Sequence, residues 1–248
     1  MLELRDRALV ELPLSSARHG LGLFESIRVR DGKALRLAWH LERLASGARF
    51  LRMDAPPGED EVARFARGSC ALGDTAEGVL RLYALDGFLV PVLSPGLPAP
   101  LASRRADLAA TLRRSSSSPL CRFKTLSYLE NIMLAREAEE RGLAEVIALN
   151  EAGRLSDGGR TTLFIVKGGL ILTPPVGDGA LPGIARRLLL ESGLACEAPL
   201  YPADVSDCDG AFIANSLRSV VALEGFGGRD LDPQHPMIGK AARLFGEG

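Results

Sequence analysis

Apolar and polar residues alternate from Phe24 to Arg30, break at Asp31-Gly32 and resume from Lys33 to Leu37, which predicts a β-hairpin about an Asp-Gly turn. From Trp39 to Leu51 the period changes. Leu41, Leu44, Ala48 and Leu51 fall on one face of a helix, which Pro56-Pro57 ends. Glu59 to Arg67 reads as a short helix, and Glu77 to Val90 as a second hairpin about Asp86-Gly87. A Pro-, Leu- and Gly-rich stretch, Pro91 to Pro100, and a polar run, Ser115-Ser-Ser-Ser-Pro119, then interrupt the pattern. Beyond them, Thr125 to Gly142 predicts a long amphipathic helix stopped by glycine. Strand signals follow at Glu145–Asn150, in a hairpin of Leu163–Lys167 with Leu170–Leu172, and at Gly210–Asn215 and Val220–Leu223; Gly183 to Gly193 reads as a helix. The pattern predicts an α+β chain of two domains, 1–114 and 120–248, built on antiparallel hairpins with packed helices and linked by 115–119.

Composition narrows the function. The 248 residues are 46% hydrophobic with a net charge of −1 and 5% aromatics, which argues against a nucleic-acid binder, since that needs a basic face to neutralise phosphates. No apolar run is long enough to span a membrane, and acids come early in Met1–Leu12, so neither a membrane partner nor a leader is expected and the location reads as cytoplasmic. Four scattered cysteines and three histidines indicate neither a metal site nor a disulfide framework. Of 30 basic residues other than histidine, only Lys33, Lys124, Lys167 and Lys240 are lysines.

Lys124 has the unusual setting, inside Leu120-Cys-Arg-Phe-Lys-Thr-Leu-Ser-Tyr128. A lysine desolvated among apolar neighbours loses its proton more readily and becomes an amine nucleophile. The same residue could also be a surface lysine whose alkyl stem lies along apolar neighbours.

The surrounding segments favour the nucleophile. Gly22-Leu-Phe-Glu-Ser26 and His40-Leu-Glu-Arg-Leu44 precede it. After Lys124-Thr-Leu-Ser-Tyr-Leu-Glu-Asn131 come Gly153-Arg-Leu-Ser-Asp-Gly158, Leu163-Phe-Ile-Val166, Leu172-Thr-Pro-Pro175 and Leu181-Pro-Gly-Ile-Ala-Arg186. In this order, from about Gly22 to Leu223, they resemble the class IV aminotransferases of fold type IV, enzymes that use pyridoxal phosphate. The resemblance implies that Lys124 binds the cofactor's aldehyde and carries the substrate proton, and that Arg43 contacts the phosphate. Gly183, Ile184 and Ala185 would form a second phosphate anchor at a helix start, where free N–H groups favour an anion. Ser216 and Leu217 would complete the cradle with a hydroxyl and an N–H. Asp157 stands where the family has a glutamate and would face the pyridine nitrogen, although Asp beside Gly158-Gly159 also suits a turn. Thr162 replaces a usual asparagine.

Three activities remain open: a lyase resembling 4-amino-4-deoxychorismate lyase, an aminotransferase for branched-chain or D-amino acids, and a non-catalytic relative. Asn215-Ser216-Leu217 and the hydroxyl of Ser26, suited to assisting proton transfer, tilt the reading to the lyase. A small carboxylate substrate is expected, with Arg28 and Arg30 (one strand face) and Arg218 as candidate partners. Tyr128, four residues from Lys124, would orient the lysine or the cofactor if a helix begins there; a core role is the alternative. His40 reads as structural, positioning the helix of Arg43. The resemblance also implies a homodimer. Ser15-Ser-Ala-Arg-His19 departs from the family's lead-in beside the pocket.

Overall fold

The computed structural model describes residues 14–73 and 75–246; Met1–Leu12 lies outside them. After a short helix α1 (Leu14–His19), the first half forms a four-stranded sheet. Its strands β1 (Gly22–Arg30), β2 (Lys33–Ala34), β3 (Glu77–Leu85) and β4 (Phe88–Pro95) lie in the order β2-β1-β3-β4. Both predicted hairpins are present. The odd residues of β1, Leu23, Ile27 and Val29, are buried against α2 (Leu37–Leu51) and α3 (Glu59–Gly73) with Leu41, Leu44, Val62 and Ala66. The even residues, Phe24 and Ser26, face the other way. Helix α3 runs six residues past its predicted end.

The second half stacks two five-stranded sheets between helices. One contains β5 (Arg105–Arg114), β6 (Glu145–Asn150), β7 (Leu155–Gly158), β13 (Gly225–Phe226) and β14 (Arg229–Asp230), in the order β14-β13-β5-β6-β7. The other contains β8 (Thr162–Lys167), β9 (Leu170–Thr173), β10 (Ala195–Glu197), β11 (Gly210–Asn215) and β12 (Ser219–Ala222), in the order β10-β9-β8-β11-β12. Ile147, Leu155, Leu163, Ile165, Ile213 and Phe226 fill the space between them. Helix α4 (Leu129–Glu140) covers the outer face of the first sheet through Leu134 and Ala138. Helices α5 (Ile184–Glu191) and α7 (Pro236–Gly246) cover the second, with the stacked rings of Phe164 and Phe212 4.7 Å apart. A short α6 (Pro202–Asp207) completes the set. Period-2 burial to both sides explains why β6, β8 and β11 read as nearly continuous apolar runs. Among the described residues, no helix is long and apolar enough to cross a membrane.

Three features differ from the sequence reading. First, β5 pairs with β6 and β13, so sheet membership changes in the coil between Pro95 and Arg105, inside the Pro-rich stretch and ahead of 115–119. The serine run is an ordered turn, because the Glu151 carboxylate accepts the N–H groups of Ser116 (2.8 Å) and Ser117 (3.1 Å). Second, the sheets are mixed: β5–β6, β13–β5 and β10–β9 pair parallel. Third, α4 begins at Leu129 and not at Thr125. The backbone before it is committed elsewhere. Thr125 bridges Leu23, Phe24 N–H donates to Lys124 O (2.9 Å) and Leu126 N–H to Gly22 O (2.9 Å).

Helix α4 packs closely on the end of β7. A Cβ added at Gly159 would stand 2.6 Å from the Asn131 carbonyl oxygen and 3.0 Å from Ala135 N, both backbone atoms. Gly159→Ala is therefore expected to destabilise the fold by about 1–3 kcal/mol. Thermal melting should show Tm lower by roughly 2–4 °C per kcal/mol at this length; an unchanged Tm would show that α4 can move away.

Candidate active site

The pairing of Gly22–Phe24 with Lys124–Leu126 carries the lysine from the second half onto the first sheet. There it enters a cavity of about 360 Å³ between the two halves. Lys124 Nζ lies 4.1 Å from the centre of the Phe24 ring and 4.5 Å from that of Tyr128, and donates to Tyr128 Oη at 3.1 Å. Tyr128 Oη donates onward to Gly159 O (3.2 Å), which Asn131 Nδ2 also meets (2.8 Å). Burial, and then the positive Arg43, bring the Lys124 pKa down to about 8 against the pull of Glu25 and Asp157. Burial pushes the Tyr128 phenol well above its ordinary range, so it stays protonated. Tyr128 thus meets the lysine without a shared helix turn: it is the residue before α4, and between the two the backbone pairs with β1 at Thr125 and then turns, Tyr128 N–H donating to Leu126 O (2.8 Å).

Arg43 is fixed from below by a carboxylate that the sequence reading did not single out. Glu25, on the buried face of β1, accepts from Arg43 Nε (2.7 Å) and Nη2 (2.6 Å) and from His40 Nδ1 (2.7 Å). Burial alone would raise the Glu25 carboxyl; Arg43 and His40 outweigh it and hold the pKa at about 2. Burial also keeps His40 below the ordinary imidazole range despite Glu25. The set is therefore an ionised Glu25, a charged Arg43 and a neutral histidine that orients the carboxylate. Arg43 Nη1 donates to Pro182 O (3.1 Å), which leaves N–H groups on Nη1 and Nη2 for a ligand. An acid at a buried phase of an alternating strand was the available signal for Glu25.

Gly183 caps α5, and its neighbours Ile184 and Ala185 open the helix on the cavity wall, where first-turn N–H groups lack an acceptor within the helix. Ser216 and Leu217 also line the cavity, but their expected donors are engaged. Ser216 Oγ donates to Ser26 O (2.9 Å), and Leu217 N–H to Asn215 Oδ1 (3.0 Å). This turn ties the second half to β1.

Asp157 lies in strand β7, not in a turn, and is 5% exposed. Its Oδ2 accepts from Leu181 N–H (2.9 Å), whereas Oδ1 is buried with no hydrogen-bond donor among the described residues. Glu145, also missed, accepts from Gly159 N–H, Arg160 N–H and Thr161 Oγ1 (3.2, 3.2 and 2.9 Å) and so shapes the turn after Asp157. Thr162 lines the same wall.

The arginine candidates divide. Arg28 and Arg30 share a strand face as expected, but both bind Glu77. Arg28 does so through Nε (3.1 Å) and Nη2 (3.0 Å), Arg30 through Nε (3.2 Å), and neither lines the cavity. The glutamate opposite them on β3 already satisfies the charge that a substrate would have met. Arg218 does line the cavity, its Nη1 donating to Ala99 O (2.5 Å). Arg81, opposite Ser26 on β3, and Arg160, paired with Glu139 (3.0 Å), are cavity arginines that sequence reasoning overlooked.

The electrostatics predict how the lysine titrates. Reductive methylation followed by peptide mass spectrometry should show half-maximal reactivity of Lys124 near pH 8. In Glu25→Gln, loss of the carboxylate leaves Arg43 uncompensated and moves that midpoint lower. A midpoint in the ordinary lysine range, or an upward move, would contradict this arrangement.

Comparison with known proteins agrees with the geometry. The family model "Amino-transferase class IV" matches residues 22–224. A putative branched-chain-amino-acid aminotransferase of Methanocaldococcus jannaschii is 29% identical over 231 residues, covering 85% of this chain and 80% of that one. A bifunctional aminodeoxychorismate lyase / D-amino acid transaminase of Mycobacterium tuberculosis is 28% identical, covering 94% and 89%. A hypothetical aminotransferase from M. tuberculosis in a PLP-bound form superimposes with a TM-score of 0.81 at 27% identity, over 99% of this chain and 94% of that one. The chain belongs to the class IV aminotransferase family of pyridoxal-phosphate-dependent enzymes, with its α+β, fold-type IV architecture.

Proposed function

We propose that the cavity holds pyridoxal phosphate between Lys124, Asp157 and Arg43, and that the enzyme is a lyase for a doubly carboxylated amine such as 4-amino-4-deoxychorismate, releasing pyruvate and leaving 4-aminobenzoate. The residues present suit the cofactor. The unpartnered Oδ1 of Asp157 is an acceptor for a protonated pyridine nitrogen. The remaining N–H groups of Arg43 and the start of α5 suit a phosphate. Lys124 supplies the amine. When bound, the cofactor provides an aldehyde that takes the substrate amine and a ring that accepts the electron pair of a broken C–H bond.

The protein's own groups account for the rest. With a pKa of about 8, Lys124 is partly neutral near pH 7 and can take a proton from the amine-bearing carbon. Tyr128 Oη, anchored to Gly159 O, accepts from Nζ and holds the amine between the two rings. Ser26, on the cavity face of β1, is a second proton carrier toward the departing enolpyruvyl group. Loss of that group makes the remaining ring aromatic, which drives the elimination.

The observation that carries the lyase reading is the charge on the cavity wall. Arg81 bonds to Ser94 Oγ (3.3 Å) and Arg218 to a backbone carbonyl, and neither has a carboxylate partner among the described residues. Two uncompensated guanidinium groups match a substrate with two carboxylates. A branched-chain amino acid has one carboxylate and an apolar side chain. The dimer and a cytoplasmic location belong to the same proposal. Leu129 (66% exposed), Ile132 and Met133 form an apolar row on α4 directly after Tyr128, suited to cover by a second copy.

The reconstituted enzyme should convert aminodeoxychorismate to pyruvate and 4-aminobenzoate; keto-acid exchange with amino acids and no such conversion would overturn the lyase reading. Arg218→Ala should raise KM about tenfold to a hundredfold, as expected for a lost charge-assisted hydrogen bond, with kcat little changed. Light scattering should give twice the 26.4 kDa chain mass, and Leu129→Asp should shift it toward one chain.

A further inference from the structure

Asp157 has a neighbour that the scheme above does not use. Arg114, the last residue of β5, is 6% exposed. Its Nη1 donates to Glu130 Oε2 (3.2 Å) and Asn131 Oδ1 (3.2 Å) at the start of α4, and its Nη2 to Gly158 O (3.4 Å) on β7. Gly179, at φ 91°, makes room for it: a Cβ there would come within 3.2 Å of both Arg114 Cβ and Ser156 Oγ. With both terminal nitrogens held, the guanidinium presents Nε to Asp157 Oδ1 at 3.4 Å. Both of those atoms are buried, and neither has a hydrogen-bond partner among the described residues. They are therefore paired by charge, with Oδ1 still free to accept from a ligand.

We infer that Arg114 is a positioning residue, which holds the Asp157 carboxylate as an oriented anion for the pyridine nitrogen of pyridoxal phosphate. This rests on the assignment of Asp157 above. Aspartate is one methylene shorter than glutamate, so its carboxylate has little freedom to find the ring by itself. Leu181 N–H fixes one oxygen, and Arg114 supplies the opposing charge beside the other. Burial raises the Asp157 carboxyl above its ordinary range, and Arg114 is the largest influence in the opposite direction. A neutral side chain at position 114 would remove that opposition and move the carboxyl further toward its protonated form, which competes with the pyridine nitrogen as a donor.

A merely structural Arg114, stapling α4 to β7, makes different predictions, and a mutant cycle separates the two. Pyridoxal-phosphate dissociation constants and the absorbance maximum of the bound cofactor are measured for the native enzyme, R114K, R114Q, D157N and the double variant. Arg114 acting through Asp157 predicts that R114Q and D157N each weaken binding about tenfold or more, the loss of one charge-assisted contact. Both should shift the absorbance in the same direction, and the double variant should be no worse than D157N. R114K, which keeps the charge, should recover most of the affinity and the native spectrum. Losses that multiply in the double variant, or R114K behaving like R114Q, overturn the inference. Unchanged binding in D157N overturns instead the placement of Asp157 at the cofactor.

Discussion

Two backbone hydrogen bonds, Phe24 N–H to Lys124 O and Leu126 N–H to Gly22 O, are the constraint on which the cavity depends. They add a short stretch of the second half to the edge of β1. Because alternate residues of a strand point to opposite faces, this register sends Phe24 and Ser26 toward the lysine and Glu25 toward α2. A slip of one residue would exchange the two sets, placing a carboxylate against the amine and an aromatic ring beneath Arg43. The same short strand therefore sets the medium around the lysine and the seat of Arg43.

Charge is partitioned around that frame. Glu25 balances Arg43, with a neutral His40 bracing the carboxylate, and Arg114 faces Asp157. Lys124 stands between these clusters on two aromatic rings, with no carboxylate in direct contact among the described residues. A buried ion pair contributes little net stability once desolvation is counted, and its retention is better explained by the orientation it imposes. Arg81 and Arg218 break the pattern, since no carboxylate meets them among the described residues, and the proposed anionic substrate rests on this imbalance.

Much of this was legible in the residues. The hairpins at Asp31-Gly32 and Asp86-Gly87, helix α2 and the run of late strands follow from periodicity and turn chemistry, because each is a local signal. The scarcity of lysine narrowed the search to four positions, and the flanking motifs singled out Lys124. What failed is non-local. The start of α4 was placed too early because Thr125 and Leu126 pair with β1, a hundred residues away in sequence. Strand β5 was missed because Arg105–Arg114 is rich in alanine and arginine and only partly buried, and its place is set by β6 and β13. Arg28 and Arg30 were candidates until Glu77 was seen opposite them. Glu25, Arg114 and Glu145 are acids and bases whose roles lie in the partner that each meets, and no spacing along the chain reveals that partner.

The central claim is that Lys124, and no other lysine, is the reacting amine. Incubation with pyridoxal phosphate, borohydride reduction and peptide mapping test it most directly. The account predicts one reduced pyridoxyl group per chain, on the peptide containing Lys124, and its loss in Lys124→Arg. Label on Lys33, Lys167 or Lys240 in place of Lys124, or no label on a folded protein, would contradict it.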